Sequence, residues 1–487
     1  MTTAHARFVT ATREALANPG LSRLLDEVTV RLNERRAVAV AAVPEWEALR
    51  ERAREIKEDT LGRLDELLDQ FERQATARGA RVHRAAAPAD ACRLVIDIAH
   101  ANGARSAVKG KSMVSEEIHL NAALEAAGVR AIESDLGEFI VQLAGETPSH
   151  IIAPALHKSR GEVARLFADK LGIAPTDDLE ALTRAARERL RAEFAAAGLG
   201  LSGANFAVAE TGTIVLLENE GNIRLSTSMP RVHVALMGIE KVIPRAADLP
   251  VFLTLLPRSA TGQPMATYVS FLTGPRRPGE LDGPDELHIV ILDNGRSALL
   301  ADPVARSALA CIRCGACLNA CPVYRNIGGH AYGTVYAGPI GSVISSFLQP
   351  SVTPPDLPFA SSLCGACADV CPVKIDLPGL LVHLRGRTMR SDLPGEAAPG
   401  RRSQKLAMRA WAFAMGGPRR YRLVSRLMRL ALRPFAQRGV IRRLPWPAGG
   451  WTAARDFPAP APRMFREMWK ERGGLKSGAK TTDVAQV

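Results

Sequence analysis

The chain has 487 residues, 47% of them hydrophobic and 23% charged, the balance of a globular protein of about three domains. That balance excludes a disordered or collagen-like chain, and no apolar run approaches the ~18 residues of a membrane span. The formal net charge of +13 is local: residues 397–455 hold 14 Lys/Arg and no Asp/Glu, and the remainder is close to neutral.

The first residues lack the basic-then-apolar pattern of a secretory signal, so a cytoplasmic protein is expected, in a compartment where disulfides are disfavoured. Residues 1–80 read as an N-terminal helical arm. The stretch 21–69 is rich in Leu, Ala, Arg and Glu at helical spacing, with no glycine between Gly20 and Gly62. Residues 81–300 alternate helix and strand. Helices are expected over 90–102 and 115–127, stopped by Gly103 and Gly128, and strands over 105–108, 129–133 and 150–153. Asp135, with Glu138 three residues on, fits a helix capping box. Further strands are expected at 206–210 and 213–217, around a Thr-Gly pair, and at 251–255 and 288–292. Repeated strand–helix units imply a parallel sheet covered by helices, becoming more mixed after Gly203. The fold class is therefore α/β, followed by a cysteine-bearing module over 301–390 and a basic C-terminal region over 391–487.

Seven of the eight cysteines lie between Cys311 and Cys371. The run Cys311-Ile-Arg-Cys314-Gly-Ala-Cys317-Leu-Asn-Ala-Cys321-Pro322 has the C-x2-C-x2-C-x3-C-P spacing of bacterial-type [4Fe–4S] proteins. Three cysteines in a tight loop present thiolates to one cubane. The fourth, followed by proline, serves the other cluster. Cys364-Gly-Ala-Cys367-Ala-Asp-Val-Cys371-Pro372 repeats the last three positions, and Ser361 stands where the first cysteine is missing. Crossed ligation assigns Cys311, Cys314, Cys317 and Cys371 to one [4Fe–4S] cluster. Cys321, Cys364 and Cys367 then hold a second cluster with only three cysteine ligands. Its fourth position is open to Ser361, Ser362, water or an external molecule, or lacks its iron altogether. Structural zinc is the competing reading, but zinc sites usually use separated C-x2-C pairs, and here two Cys-Pro-ended runs stand in tandem. The 42 residues from Pro322 to Leu363 leave room for helices between the motifs, so a mainly helical ferredoxin-type module is expected.

Other signals are weaker. Gly110-Lys111-Ser112 fails as a phosphate loop because Arg105 stands where glycine is required, and no G-x-G-x-x-G follows a strand. Polar residues gather where the expected strands end: Lys109, Lys111, Ser112, Glu116, Glu117, Glu133, Asp135 and Glu138. Strand carboxyl ends are where open α/β sheets bind ligands. Glu210 and Glu220 lie in turn-rich acidic segments that serve either as turns and caps or as part of a small-molecule site. His330 is the histidine closest in sequence to the first motif, and Cys92 sits in an apolar helix as a buried thiol. In the tail, Arg422, Arg426, Arg429 and Arg433 share a helix face suited to an anionic membrane surface or an acidic partner. No recognition motif supports nucleic acid.

The run CIRCGACLNACPVYRNIGGHAYGTVYAGPIG, the later SSLCGACADVCPVKIDLP, and the segments KSMVSEEIHLN and FAVAETGTIVLLENEGN resemble the lactate utilization protein B family. The resemblance covers most of the chain, most strongly residues 80–390. It implies an α/β domain related to the ribose-isomerase and CoA-transferase fold and a module with two [4Fe–4S] clusters. The family's second motif also lacks its first cysteine. The implied role is electron carrier in the oxidation of L-lactate to pyruvate, alongside two other lactate utilization proteins. A subunit of another 2-hydroxy-acid oxidase of the glycolate type, or a non-enzymatic redox-binding protein, are the alternatives.

Overall fold

The computed structural model describes residues 4–390, 401–445, 448–452 and 455–472. The chain divides into two compact units, residues 1–398 and 399–487.

Ten strands build the first unit: β1 (Arg81–Ala85), β2 (Ser106–Lys109), β3 (Arg130–Glu133), β4 (Leu199–Ser202), β5 (Phe206–Val208), β6 (Thr213–Glu218), β7 (Val232–Gly238), β8 (Val242–Ile243), β9 (Tyr268–Leu272) and β10 (Glu286–Leu292). Six of them form one all-parallel sheet in the order β1-β10-β7-β4-β2-β3. Its strands β7 and β10 are apolar but for His233, Glu286 and His288 because both faces are covered: every residue of β7 is buried, as is all of β10 but its first residue. The remaining four strands pair as β8-β5-β6-β9, with β5 and β6 antiparallel across the Thr211-Gly212 turn and β8 parallel to β5. The expected parallel sheet is thus present, but the mixed pairing after Gly203 is a separate sheet, and β7 and β10, with residues 288–292, belong to the all-parallel one because they run parallel to β4 and β1.

Several expected elements differ. Residues 251–255 lie in the helix Leu249–Ala260, which Pro250 opens; their apolar side chains at helical spacing pack Phe252 and Leu255 into the core. Residues 150–153 form no strand. Their backbone bends around the His150 ring, whose Nδ1 accepts from the amides of Ile152 and Ala153 at 3.0 and 3.1 Å. The helix expected over 115–127 is broken in two, Met113–Glu117 and Leu120–Ala126, by His119 at φ +54°. Asp135 caps its helix through the Glu138 amide at 3.0 Å, but the reciprocal half of the box is not made: the Glu138 side chain is buried beside Lys109.

Between Arg296 and Arg390 every regular element is helical. The N-terminal helices Pro19–Ala41 and Trp46–Gly62 lie against this region. Asn33 Nδ2 donates to the Asn319 carbonyl at 2.9 Å, Arg36 to that of Val370 at 3.0 Å, and Arg50 to that of Cys371 at 2.9 Å. Leu25, Ala53 and Ile56 are buried by the same packing. What reads in sequence as an arm is therefore a wall of the cysteine region.

The second unit holds the helices Arg401–Met415 and Pro418–Leu432. Arg422, Arg426 and Arg429 lie on the latter, whereas Arg433 begins a short 3-10 turn beyond its end. The disorder expected from composition over residues 476–487 concerns positions outside the described residues.

Candidate iron–sulfur site and adjoining cavity

Both cysteine motifs are built the same way. Gly315 (φ +74°) and Gly365 (φ +90°) each take the left-handed conformation that starts a short helix, Ala316–Ala320 and Ala366–Asp369. The first helical amides, of Ala316 and Ala366, then point back at the sulfurs of Cys314 and Cys364. Further backbone amides serve the other sulfurs: Arg313 N lies 3.4 Å from Cys311 Sγ and Ile375 N 3.3 Å from Cys371 Sγ, while those of Val323 and Tyr324 reach Cys321. Amides aimed at sulfur favour thiolates.

The seven thiols fall into two groups. Cys317 has Cys311, Cys314 and Cys371 as charged neighbours, and Cys314 has Cys311 and Cys371. Cys321 has Cys364, and Cys367 has Cys321 and Cys364. The last cysteine of the second motif therefore sits with the three foremost of the first, and the last of the first motif with the two foremost of the second. The groups differ in exposure. In the first group Cys314, Cys317 and Cys371 are buried and Cys311 half-buried; in the second Cys321 and Cys367 are buried and Cys364 is exposed, with Ser362 hydrogen-bonded to its thiol. Burial pushes the Cys371 and Cys367 thiols up to about 11, so only an electropositive occupant would hold them as thiolates. Ser361 Oγ accepts from the Leu363 amide at 3.1 Å.

The donor set suits a cubane better than a single zinc ion. Tetrahedral Zn–S bonds of ~2.3 Å put sulfurs less than ~4 Å apart. Among the described residues, no three cysteine sulfurs lie within 4.8 Å of one another; the one such cluster of His, Cys, Asp or Glu ligand atoms is Glu116, Glu133 and Glu138.

Cations surround the first thiol group. Arg36 and Arg50 act on Cys371, and Arg313, Lys57 and Lys241 on Cys311. Desolvation draws both lysines down to about 8. Arg313 stacks on Tyr336, 4.8 Å from its centroid, and joins a buried network. Its Nη2 reaches Glu240 at 3.3 Å, Glu240 takes Arg296 Nε at 2.7 Å, and Arg296 pairs through both terminal nitrogens with Glu117 at 2.8 Å. The Tyr336 hydroxyl donates to the same Glu117 at 2.8 Å. Burial opposes ionisation of Glu240, but Arg296 and Arg313 hold its carboxyl down to about 2. This network ties the ends of the parallel sheet to the first cysteine loop.

A cavity of about 410 Å³ lies at the same junction. Its polar lining includes segments that follow β2 (Lys111, Ser112), β3 (Asp135), β4 (Asn205) and β7 (Glu240, Lys241), the end of β6 with the turn after it (Glu218, Glu220), and Arg313 from the cysteine loop. It thus occupies the strand carboxyl ends. Of the polar residues singled out in sequence, Lys111, Ser112, Asp135 and Glu220 line it. Glu117 belongs to the Arg296 network. Lys109 is buried among Glu116 (2.7 Å), Glu133 (2.8 Å) and Glu138 (3.9 Å), and burial beside Glu133 pushes the Glu138 carboxyl well up. Glu210 instead accepts from the Ala246 amide at 2.9 Å, outside the cavity lining.

His330 donates to or accepts from no described cysteine; its Nε2 bonds the Thr147 carbonyl at 2.7 Å and its ring packs on His157. Cys92 is a buried thiol 3.4 Å from the Ile118 carbonyl. Sequence reasoning missed His150. With Nδ1 occupied by two amides, its Nε2 donates to Asn319 Oδ1 at 3.1 Å, and burial draws its pKa down to about 3, fixing a neutral ring beneath Gly315. It also missed Arg36 and Arg50, whose roles depend on residues more than 300 positions away.

A parallel α/β sheet whose strand ends meet a helical region with two thiol groups is the arrangement of an iron–sulfur protein. The family models agree in chain order: LUD domain over residues 68–292, 4Fe-4S dicluster domain over 307–375, and Lactate utilisation protein B, C-terminal over 383–474. The chain is 41% identical to Lactate utilization protein B of Bacillus licheniformis over 467 residues, covering 96% of this chain and 97% of the relative. It is 44% identical to that of Geobacillus sp. (strain WCH70) over 449 residues, covering 92% and 93%. The chain belongs to the lactate utilization protein B family. A crystal structure of a DUF162 family protein from Deinococcus radiodurans covers 47% of this chain and 98% of its own, at 16% identity and a TM-score of 0.24, too low to carry an argument.

Among the described residues, no helix is long and apolar enough to cross a membrane.

Proposed function

We propose that this protein is an iron–sulfur electron carrier in the oxidation of L-lactate to pyruvate, acting with the other two lactate utilization proteins in the cytoplasm. The observation that carries the reading is the crossed grouping of the seven thiols within a 4Fe-4S dicluster domain. In this reading Cys311, Cys314, Cys317 and Cys371 hold one [4Fe–4S] cluster, and Cys321, Cys364 and Cys367 hold the other with three cysteine ligands. When bound, such clusters supply one-electron transfer. The chain's own part is to bury the first thiol group, aim amides at sulfur, and offset negative charge with Arg36, Arg50 and Arg313. The exposed Cys364 marks the second group as the side facing exchange partners. The likeness of the α/β domain to the ribose-isomerase and CoA-transferase fold belongs to the same proposal, supported by its all-parallel six-stranded sheet.

The test is anaerobic reconstitution with iron and sulfide counts, then addition of L-lactate in the presence of the two partner proteins. Reduced-cluster EPR signals are expected, and Cys311→Ser is expected to abolish lactate-driven reduction of an acceptor. Oxygen-free protein that carries zinc, or no metal, in this region would overturn the reading.

The basic C-terminal helices are proposed to rest on an anionic membrane surface. Trp411, Phe413, Leu423, Leu427 and Leu430 are exposed on helices that also carry Arg409, Arg422 and Arg426. Each arginine near such a surface contributes about 1 kcal/mol. Reversing Arg422 and Arg426 to glutamate is expected to reduce co-sedimentation with phosphatidylserine vesicles at least about tenfold. Unchanged sedimentation removes the membrane role. Arg429 is left intact because it bonds the Pro462 carbonyl at 3.0 Å.

A further inference from the structure

The cavity between the sheet ends and the first cysteine loop is lined by two cationic side chains that each keep a buried nitrogen without a hydrogen-bond partner among the described residues. Lys111 Nζ and Arg313 Nη1 are both buried and have no hydrogen-bond partner among the described residues, and both side chains line the cavity. Arg313 is only 8% exposed. An unmet buried cationic donor costs several kcal/mol unless a ligand satisfies it. Charge balance at the cysteines does not account for Lys111, whose charged neighbours are Asp135, Glu138, Glu220 and Glu133 rather than any thiol.

The carboxylates of the cavity wall are, by contrast, already engaged. Glu218 accepts from the amides of Ile223 and Arg224, both at 2.7 Å. Asp135 caps the Glu138 amide at 3.0 Å, Glu220 accepts from Leu136 N at 3.3 Å, and Glu240 is held by Arg296 and Arg313. What remains open is positive, within walls that include Ile151, Ile152, Leu216 and Ile223.

We propose that this cavity binds a small monocarboxylate, its carboxylate oxygens received by Lys111 Nζ and Arg313 Nη1 and its short carbon body lying on the apolar wall. Asp135, Glu218 and Glu220 share the lining and oppose a doubly charged anion more than a singly charged one, so a carboxylate is favoured over inorganic phosphate. Choosing a 2-hydroxy or 2-oxo acid among monocarboxylates rests on the lactate reading above; the anion site itself rests on the geometry. Occupancy would place a negative charge on Arg313, within the first cysteine loop, so the ligand state is felt at that thiol group.

Equilibrium dialysis of the full-length, cluster-loaded protein with radiolabelled L-lactate or pyruvate, and separately with acetate or inorganic phosphate, tests this. Saturable binding of one lactate or pyruvate per chain is expected, with phosphate failing to compete. Lys111→Met should weaken binding about ten- to a hundredfold, the range for a lost buried charge-assisted bond, and Lys111→Arg should restore part of it. Ala204→Leu, which fills the cavity from its wall, should block binding independently of charge. No saturation by any carboxylate up to about 10 mM, well above the usual KM range, overturns the proposal. So does unchanged affinity in Lys111→Met protein with unaltered melting, or binding of phosphate alone. Iron counts and partner-dependent reduction by lactate are read on the same samples. If these persist while no carboxylate binds, the cavity proposal fails and the electron-carrier reading stands.

Discussion

Cys371→Ala is expected to remove the same EPR signal as Cys317→Ala, although the two residues come from different motifs. Cys321→Ala should instead match Cys367→Ala. Each variant should lose about half of the reconstituted iron, because each cluster takes its ligands as a set. The reason is the grouping of the thiols: Cys317 has Cys371 among its charged neighbours, while Cys321 has Cys364 and Cys367 has both. Cys92→Ser, which alters a thiol far from both groups, should leave iron content unchanged. If Cys371→Ala instead removes the signal lost in Cys367→Ala, ligation is not crossed. Exposure adds a second expectation. The cluster bounded by exposed Cys364 should be lost first to oxygen or chelator, and that enclosed by Cys314, Cys317 and Cys371 last.

Arg296→Met should be the most damaging single change outside the cysteines. Arg296 is fully buried and binds Glu117 through two nitrogens and Glu240 through a third. Removing it leaves two buried carboxylates short of a counter-charge, and breaking a buried pair in this way costs about 3–5 kcal/mol. Part of that loss is recovered if the carboxylates take up protons, so the Arg296→Met protein should be relatively more stable at low pH than at neutral pH. The sign follows from Glu240, whose folded pKa of about 2 requires its cations. A depressed carboxyl contributes stability above its unfolded pKa and loses it as pH falls through the folded one. Replacing the arginine removes the largest of the cations that hold Glu240 down and so reduces this residue's share of the stability lost at acid pH. Thermal melts at several pH values check this. A melting temperature within a degree or two of wild type at neutral pH would mean that the network is not structural. The same variant takes a like charge away from Arg313 and leaves Glu240 to it, so a change in the EPR of the first cluster is expected in whatever protein still folds.

Local signals carried much of the fold into the sequence. The Thr211-Gly212 turn between two β-rich runs is the β5–β6 hairpin, and Asp135 caps the helix it was expected to cap. Residues 288–292 are a strand because isoleucine and valine runs of that length suit a sheet covered on both faces. The failures have physical causes. Residues 251–255 are as apolar as a strand, but Pro250 and helical spacing make them a helix. The bend at 150–153 follows from a side chain capping its own backbone, which hydrophobic periodicity does not register. The strands β1, β4 and β7 carry no turn signal strong enough to set them apart, yet β4 and β7 occupy the centre of the sheet.

By itself the sequence pointed to an iron–sulfur module: two Cys-Pro-ended runs, one lacking a cysteine, mark the candidate donors because cluster ligation depends on local spacing, and a 4Fe-4S dicluster domain matches there. It also determined the basic character of the tail, which is a matter of composition. Only the tertiary structure decided what surrounds the thiols. Arg36, Arg50 and His150 reach the cysteine region from far along the chain, and Lys111 meets Arg313 across one cavity, because separate strands and helices converge there. Burial, and hence which cations are paired and which are left open, is a property of packing between distant segments.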